Sequence, residues 1–459
     1  MAKNIEAIKK KEAKELEKWQ QKSNKGRYAG FFIVLLVLTT LARVLDAYST
    51  NVTTSLQTAI VNEFYVAGQG MDFAAGLSQY SLIVTGLLIF SVLATIYISL
   101  ADKYGRKPLL VISIIGMTAG MFICYLSTNL MVHIIGRAVI SFFIAQDIHQ
   151  LYMMEIAPKE KRASYMAAVA FFGYLSVMLV SVSRGANTVD NELIWRNTFI
   201  VPVVAGLVLT VLMIVFGRES KVFLDTKINY LSKPYEERQA EAKAKNEKAK
   251  SGGLGMAFKF IFKHKQPRNL LLASIAQMIA IMAFFGFYEA IMTTSGMTTD
   301  QVTNALFIYP ITCAVSILAV GLISDKFGRK TAGVISSVFA FVGLVAFILA
   351  AKNLINPYIV GLLYGIEIGC FWAYGNQLIL AFGETIPTRI RSSSIAARGI
   401  IAVVISLVSG VIISALVKVF PLGGLCLVWG AATLGISIVM FLLMVKETKG
   451  TNLEEVVAD

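Results

Sequence analysis

The stretch Ser99-Leu100-Ala101-Asp102-Lys103-Tyr104-Gly105-Arg106-Lys107 returns, nearly residue for residue, as Gly321-Leu322-Ile323-Ser324-Asp325-Lys326-Phe327-Gly328-Arg329-Lys330. Each copy packs an acid, a glycine and three cations into a short polar turn between two apolar runs. Asp102 and Asp325 lie 223 residues apart, the mark of a chain built from two related halves. The blander reading is two basic loops that look alike by chance. It requires an Asp-Lys-aromatic-Gly-Arg-Lys string to arise twice.

Outward from these turns the chain is apolar. Of its 459 residues 56% are hydrophobic and only 15% charged, well below the roughly 25% charged residues of soluble domains. Apolar runs of membrane-spanning length fall at 29–50, 77–100, 108–128, 130–154, 164–185 and 195–217. Six more follow at 268–292, 301–323, 331–351, 356–383, 394–418 and 422–445. The composition therefore predicts an all-α membrane protein with twelve transmembrane helices in two six-helix, pseudo-symmetric halves, 29–217 and 268–445.

The remaining segments are polar. Residues 1–28 hold nine Lys/Arg against four Glu and no apolar h-region, so a basic surface helix is expected rather than a cleavable signal peptide. Residues 218–267 include a Lys-, Glu- and Ala-rich run at 236–245 and then Ser251-Gly252-Gly253. They read as a linker that lets the halves move against each other. Residues 446–459 form a short tail.

The net charge is +14, yet 35 of the 42 Lys and Arg fall in the termini, the linker and alternate loops, all on one face. Only Arg184, Arg196, Lys352 and Lys418 sit near span ends on the other. Positive residues stay inside, which places both termini in the cytoplasm and explains the charge as topology in a cell membrane, with no nucleic-acid partner expected. The four cysteines lie inside apolar runs without a CxxC pair, and the three histidines are scattered. No disulfide, metal site or cofactor is expected.

Ionisable residues within spans are expensive to bury and are the first functional candidates. They are Arg43 and Asp46 in span 1, Arg137, Asp147 and His149 in span 4, Glu289 in span 7, Glu367 in span 10 and Arg398 in span 11. Arg43 and Asp46, three residues apart on a helix, can neutralise each other, and Asp46 can equally pair with Arg137. A carboxylate beside an arginine releases that partner on protonation, which is a workable coupling switch. Glu367 falls mid-span, whereas Arg398 lies near enough to Arg391 to snorkel to the interface. Structural ion pairs are the open alternative for each. Arg184 lies near the outer end of span 5. In the repeated turn, Asp102 and Asp325 can accept N–H groups at a helix end, the glycines permit a sharp bend, and the cations anchor the loop. The turn is then either a gate between conformations or a loop stabiliser.

The repeated turn resembles the loop between the second and third helices in each half of a major facilitator superfamily transporter. Gly136-Arg137 followed by Glu155-Ile156-Ala157-Pro158-Lys159-Glu160-Lys161-Arg162 is similar to a sugar porter pattern, with Glu384-Thr385-Ile386-Pro387-Thr388-Arg389-Ile390-Arg391 as its counterpart. The tail Lys446-Glu447-Thr448-Lys449-Gly450-Thr451-Asn452-Leu453-Glu454-Glu455 resembles the sugar porter ending, with Lys446 where proline is usual. The resemblance implies the major facilitator fold. It also implies gating roles for Asp102, Gly105, Arg106, Glu155 and Arg162, and for Asp325, Gly328, Arg329, Glu384 and Arg391. In proton-coupled members a span 1 aspartate works with the span 4 arginine, roles that would fall on Asp46 and Arg137.

Departures fall in the spans. The glutamine-rich sugar porter signature of span 7 is reduced to Ser274-Ile275-Ala276-Gln277, so the uncharged partners a sugar needs are thin there. Span 5 lacks the glycine-proline signature of drug antiporters. The leading expectation is a proton-coupled transporter of a small organic anion, working as a monomer with substrate, protons and the bilayer as partners. The alternative is a sugar or polyol symporter. A membrane enzyme or sensor lacks any nucleotide loop or nucleophile–base cluster.

Overall fold

The computed structural model describes residues 12–21, 31–90, 97, 100–144, 148–158, 162–241, 243, 254–387 and 390–448. The first half contains α1 (Phe32–Val52), α2 (Phe73–Gly86), α3 (Arg106–Tyr125), α4 (Leu130–Ile144), α5 (Ile148–Ile156), α6 (Arg162–Leu175), α7 (Met178–Ala186) and α8 (Ile200–Val215). Helices α9 (Lys221–Ser232) and α10 (Leu254–Lys263) connect it to the second half. That half contains α11 (Lys265–Phe284), α12 (Tyr288–Thr294), α13 (Thr299–Phe327), α14 (Arg329–Lys352), α15 (Pro357–Glu384), α16 (Arg391–Leu416) and α17 (Leu422–Met444). With α4–α5, α6–α7 and α11–α12 each read as one crossing, these make the twelve helices of a multi-pass membrane protein. Among the described residues ten helices are long and apolar enough to cross a bilayer.

Side chains set many helix starts. The Asp72 carboxylate accepts the Ala75 N–H at 2.9 Å at the head of α2, and Thr298 with Gln301 forms a capping box on α13. Apolar length finds three of the spans without showing their interior or their end. The first does not end near residue 50 but runs on through a 3-10 turn (Thr54–Leu56), a short helix (Gln57–Val61) and a π turn (Asn62–Ala67). The seventh breaks at Phe285-Gly286-Phe287 between α11 and α12. The fifth breaks where the Ser176 hydroxyl donates to the Gly173 carbonyl at 2.6 Å. Hydropathy cannot register an interruption of main-chain bonding inside an apolar run.

The second half is held tightly along α15, which packs on both α13 and α14. Gly361, Gly365 and Gly369, spaced four apart, lay one bare stripe of α15 on α13, as close-packed membrane helices require. A Cβ on Gly365 would stand 2.5 Å from the Tyr309 carbonyl oxygen. Gly365→Val is therefore expected to force the helices apart and destabilise the protein by about 1–3 kcal/mol. A melting temperature equal to the parent's would remove this stripe from the account of stability.

Candidate functional site

Two adjoining cavities lie between the halves, of about 420 and 350 Å³, within the size range of small-ligand sites. Arg43, Thr50 and Phe285 line both. Asp46, Thr54, Gln57, Ser81, Thr85, Arg137 and Ser141 give the larger cavity a polar wall from the first half. Met282, Phe285, Phe287 and Ile413 face them from the second half, with Ser414 as a hydroxyl among apolar neighbours. The uncharged polar set that looked thin in span 7 is thus present, drawn from spans 1, 2, 4 and 11. Sequence reading looked for it on one helix, and the fold collects it from four.

Of the sequence candidates, Arg43, Asp46 and Arg137 meet at this wall. Arg43 Nη1 lies 2.5 Å from Asp46 Oδ2, and Arg137 donates to the Thr53 hydroxyl. Three buried atoms of cavity-lining residues have no hydrogen-bond partner among the described residues: Gln57 Oε1, Arg137 Nε and Ser414 Oγ. A buried polar atom without a partner costs free energy that a polar ligand can recover.

Other candidates lie elsewhere. Arg398 is buried and does not snorkel; its Nε and Nη2 donate to Ser274 Oγ at 3.3 Å. His149 is buried on α5. Glu367 lies within α15, behind the lining of the smaller cavity. Asp147 and the side chains of Asp102 and Arg162 lie outside the described residues. The four cysteines are free and buried, and the described residues hold no cluster that could bind a metal ion.

Glu289 is placed away from the cavity wall, at the end of the bundle remote from the termini, where side chains join the two halves. Its Oε1 lies 3.3 Å from Arg184 Nη1 of α7, and its Oε2 accepts the Thr58 N–H at 2.9 Å and the Thr58 hydroxyl at 2.6 Å. Arg184 also donates to the Ser55 carbonyl, and to Thr303 Oγ1 at 3.0 Å. The Ser55 and Tyr288 hydroxyls are 2.9 Å apart, and Asn191 accepts both the N–H and the hydroxyl of Thr299 at 2.8 Å. Asn191 reaches this position from a hairpin turn in which both it and Asp190 have positive φ. Both ends of the buried pair are visible in the sequence as charged residues in apolar runs, one in each half. That complementarity was the signal sequence reasoning missed.

The repeated turns form matching networks, one in each half. Gly105 and Gly328 have φ of +104° and +99°, and each opens a helix whose first N–H groups meet a carboxylate. Glu219 Oε1 accepts from Arg106 N at 2.8 Å, and both its oxygens accept from Lys107 N at 3.3 Å. Glu447 accepts from Arg329 N at 2.9 Å and from Lys330 N at 3.0 Å. The motif arginines continue the match: Arg106 Nε donates to Glu155 at 2.9 Å and Arg329 Nε to Glu384 at 3.3 Å. Glu384 also accepts the Thr448 hydroxyl, and Arg391 donates to the Ile386 carbonyl at 3.2 Å. Asp325, with 82% of its side chain exposed, lies 3.5 Å from Arg329.

Helix N-termini favour an anion, and here the anion arrives from the segment after each half's last helix. Burial lifts the Glu219 carboxyl above the ordinary carboxylate range, against the pull of the N–H groups of Ser220, Arg106 and Lys107. The triplets Arg218-Glu219-Ser220 and Lys446-Glu447-Thr448 are a second, unnoticed repeat of basic, acidic and hydroxyl residues. A Cβ on Gly105 would collide with the Glu219 carboxylate. Gly105→Ala is therefore expected to cost about 1–3 kcal/mol through backbone strain and loss of this cap. Gly328→Ala, against Glu447, should do the same. Unchanged melting temperatures for both would show the turns to be relaxed.

Comparison with known proteins bears on this arrangement. The chain is 24% identical over 384 residues to the glucose transporter GlcP of Staphylococcus epidermidis, covering 78% of this chain and 83% of that one. It is 31% identical over 128 residues to plastidic glucose transporter 4 of Arabidopsis thaliana, a match spanning 28% of this chain and 23% of that relative's length. The crystal structure of a D-xylose-proton symporter superposes with a TM-score of 0.68 at 17% identity, over 92% of this chain and 100% of the other. Family and fold are those of transporters. The family model of the Major Facilitator Superfamily matches residues 28–400, spanning both copies of the turn, and the chain belongs to that family.

Proposed function

We propose that this protein carries a small polyhydroxylated solute, a sugar or polyol, across the cell membrane together with protons. The observation that carries this reading is the set of unpartnered polar atoms on the cavity wall. Gln57 Oε1 accepts, Arg137 Nε donates, and Ser414 Oγ does either, which suits a ligand whose every hydroxyl both donates and accepts. The aromatic wall opposite, Phe285 and Phe287, offers the apolar face against which a sugar ring stacks. The named activities of the bacterial and plant relatives support the same class. With the Lys- and Arg-rich loops in the cytoplasm, the closed end at Arg184 and Glu289 faces outward, so this conformation faces the cell interior.

The experiment is a thermal-shift series on purified protein with D-glucose, D-xylose, myo-inositol and a panel of carboxylic acids. A ligand that binds only the folded form raises the melting temperature, by about 2.7 kcal/mol of stabilisation at one hundred times its Kd. Stabilisation by one of the polyols, lost in Gln57→Leu, is the expected result. A response to acids alone would favour the second reading, an organic anion. One feature supports that alternative: two arginines against a single aspartate give the cavity wall an excess of positive charge.

A further inference from the structure

One carboxylate in the second half is buried with no hydrogen-bond or ion-pair partner among the described residues. Glu367, midway along α15, has no exposed surface, and neither Oε1 nor Oε2 has a hydrogen-bond partner among the described residues. On α15 itself, one turn earlier, the Tyr364 hydroxyl is equally unpartnered. Every helix packed here brings neutral groups. From α14, Gly343 lies so close that a Cβ on it would stand 2.9 Å from the Glu367 Cα, and Phe347 packs on Tyr364. From α13 come Tyr309 and Cys313, and from α12 comes Tyr288, both tyrosines packing on Tyr364. The neighbouring helix α11 contributes Gln277, whose amide donates to the Phe371 carbonyl. An ionised carboxylate in such a place has neither counter-ion nor donor, and its desolvation is not recovered. The group that fits is the neutral acid.

Its position is close to water. Cys313 of α13 and Ile368 of α15 line the smaller cavity, and the α13 part of this wall packs on the helix that carries Glu367. That wall contains Pro310, which removes the main-chain bond to the Leu306 carbonyl and gives the helix a place to bend. Pro310 lines the cavity, one turn before Cys313.

We propose that Glu367 is a proton site of the second half, distinct from the Arg43–Asp46 pair. It holds its proton while α13 lies against α15, and releases it to cavity water when α13 bends away at Pro310. The O–H bond of the carboxyl breaks, the proton passes to water, and the carboxylate is hydrated in the opened gap. Closure requires the proton to be taken up again. The site deepens the proton-coupled reading above, but its test needs no transported solute and so does not depend on the sugar assignment.

The test is infrared titration of the purified protein. At neutral pH the wild type should show the C=O band of a buried neutral carboxylic acid. The band should disappear in Glu367→Gln, whose amide mimics the neutral acid in shape, and remain in Asp46→Asn. Should the glutamine variant fail to fold, Glu367→Asp serves, with a shifted band expected. A band that survives unchanged in these variants, or is absent from the wild type, overturns the proposal. The second arm uses Arg184→Met combined with Glu289→Leu, which frees α13 from the Arg184–Thr303 contact and leaves no stranded carboxylate at that end. There the band should titrate away at lower pH than in the wild type. Coincident titrations would show a static buried acid and overturn proton release.

Discussion

Glu289→Ala is expected to open the end of the protein that the structure shows closed. The substitution leaves Arg184, itself 3% exposed, facing an empty space where its counter-ion stood. Removing one partner of a buried pair costs about 3–5 kcal/mol, because the remaining charge is stranded away from water. Thr58 loses the acceptor for both its N–H and its hydroxyl in the same step. These contacts join one half to the other, so their loss falls on the closed state alone. Since each 1.4 kcal/mol is about a tenfold change in an equilibrium, the open state should gain about a hundredfold or more. A cysteine placed at Thr54 on the cavity wall reports this. An impermeant thiol reagent added from the side remote from the termini should label it rapidly in the Glu289→Ala background and slowly in the parent. Arg184→Met combined with Glu289→Leu should restore the melting temperature while leaving labelling fast, since apolar replacement removes the stranded charge but not the missing latch. Labelling as slow as in the parent would show that the pair merely fills space.

Asp46→Asn is expected to separate transport from its driving force. Arg43 lines both cavities, and its 2.5 Å bond to Asp46 fixes where that guanidinium stands. On the proton-coupled reading, a proton on Asp46 cancels the attraction and frees Arg43, which would link proton binding to the shape of both cavities through one side chain. Asparagine cannot lose or gain the charge. In proteoliposomes with D-glucose as the probe, a pH difference of one unit with one proton per solute sustains about tenfold accumulation. Asp46→Asn should reduce this to about equal concentrations on the two sides while exchange of labelled for unlabelled glucose continues. Accumulation at the parental level would transfer the coupling role to another group.

The two-half architecture was legible because it is written twice, in the turns at Asp102 and Asp325 and in the spacing of apolar runs. The charged residues that line the cavities, Arg43, Asp46 and Arg137, were legible too, because a charge inside a membrane span stands out against its neighbours. Their partners were not. Gln57, Thr58 and Ser414 look ordinary in a helix, and only the crossing of helices far apart in the chain shows what they face. The breaks at Ser176 and at Phe285-Gly286-Phe287 were hidden for a different reason: the chain there remains apolar while its hydrogen bonding changes. Arg398 was misjudged on distance along the chain, when a serine on another helix was nearer than the interface.

The carboxylates that close the repeated turns come from residues 219 and 447, just beyond the last helix of each half. This fixes an order of manufacture. Once residue 220 has left the ribosome, the first six-helix unit possesses every group its own turn requires, and it can mature in the membrane while the second is still being made. The second unit is completed in the same manner at residue 448. The contact between Arg184 and Glu289 takes one group from each unit, so neither turn depends on it for its own closure.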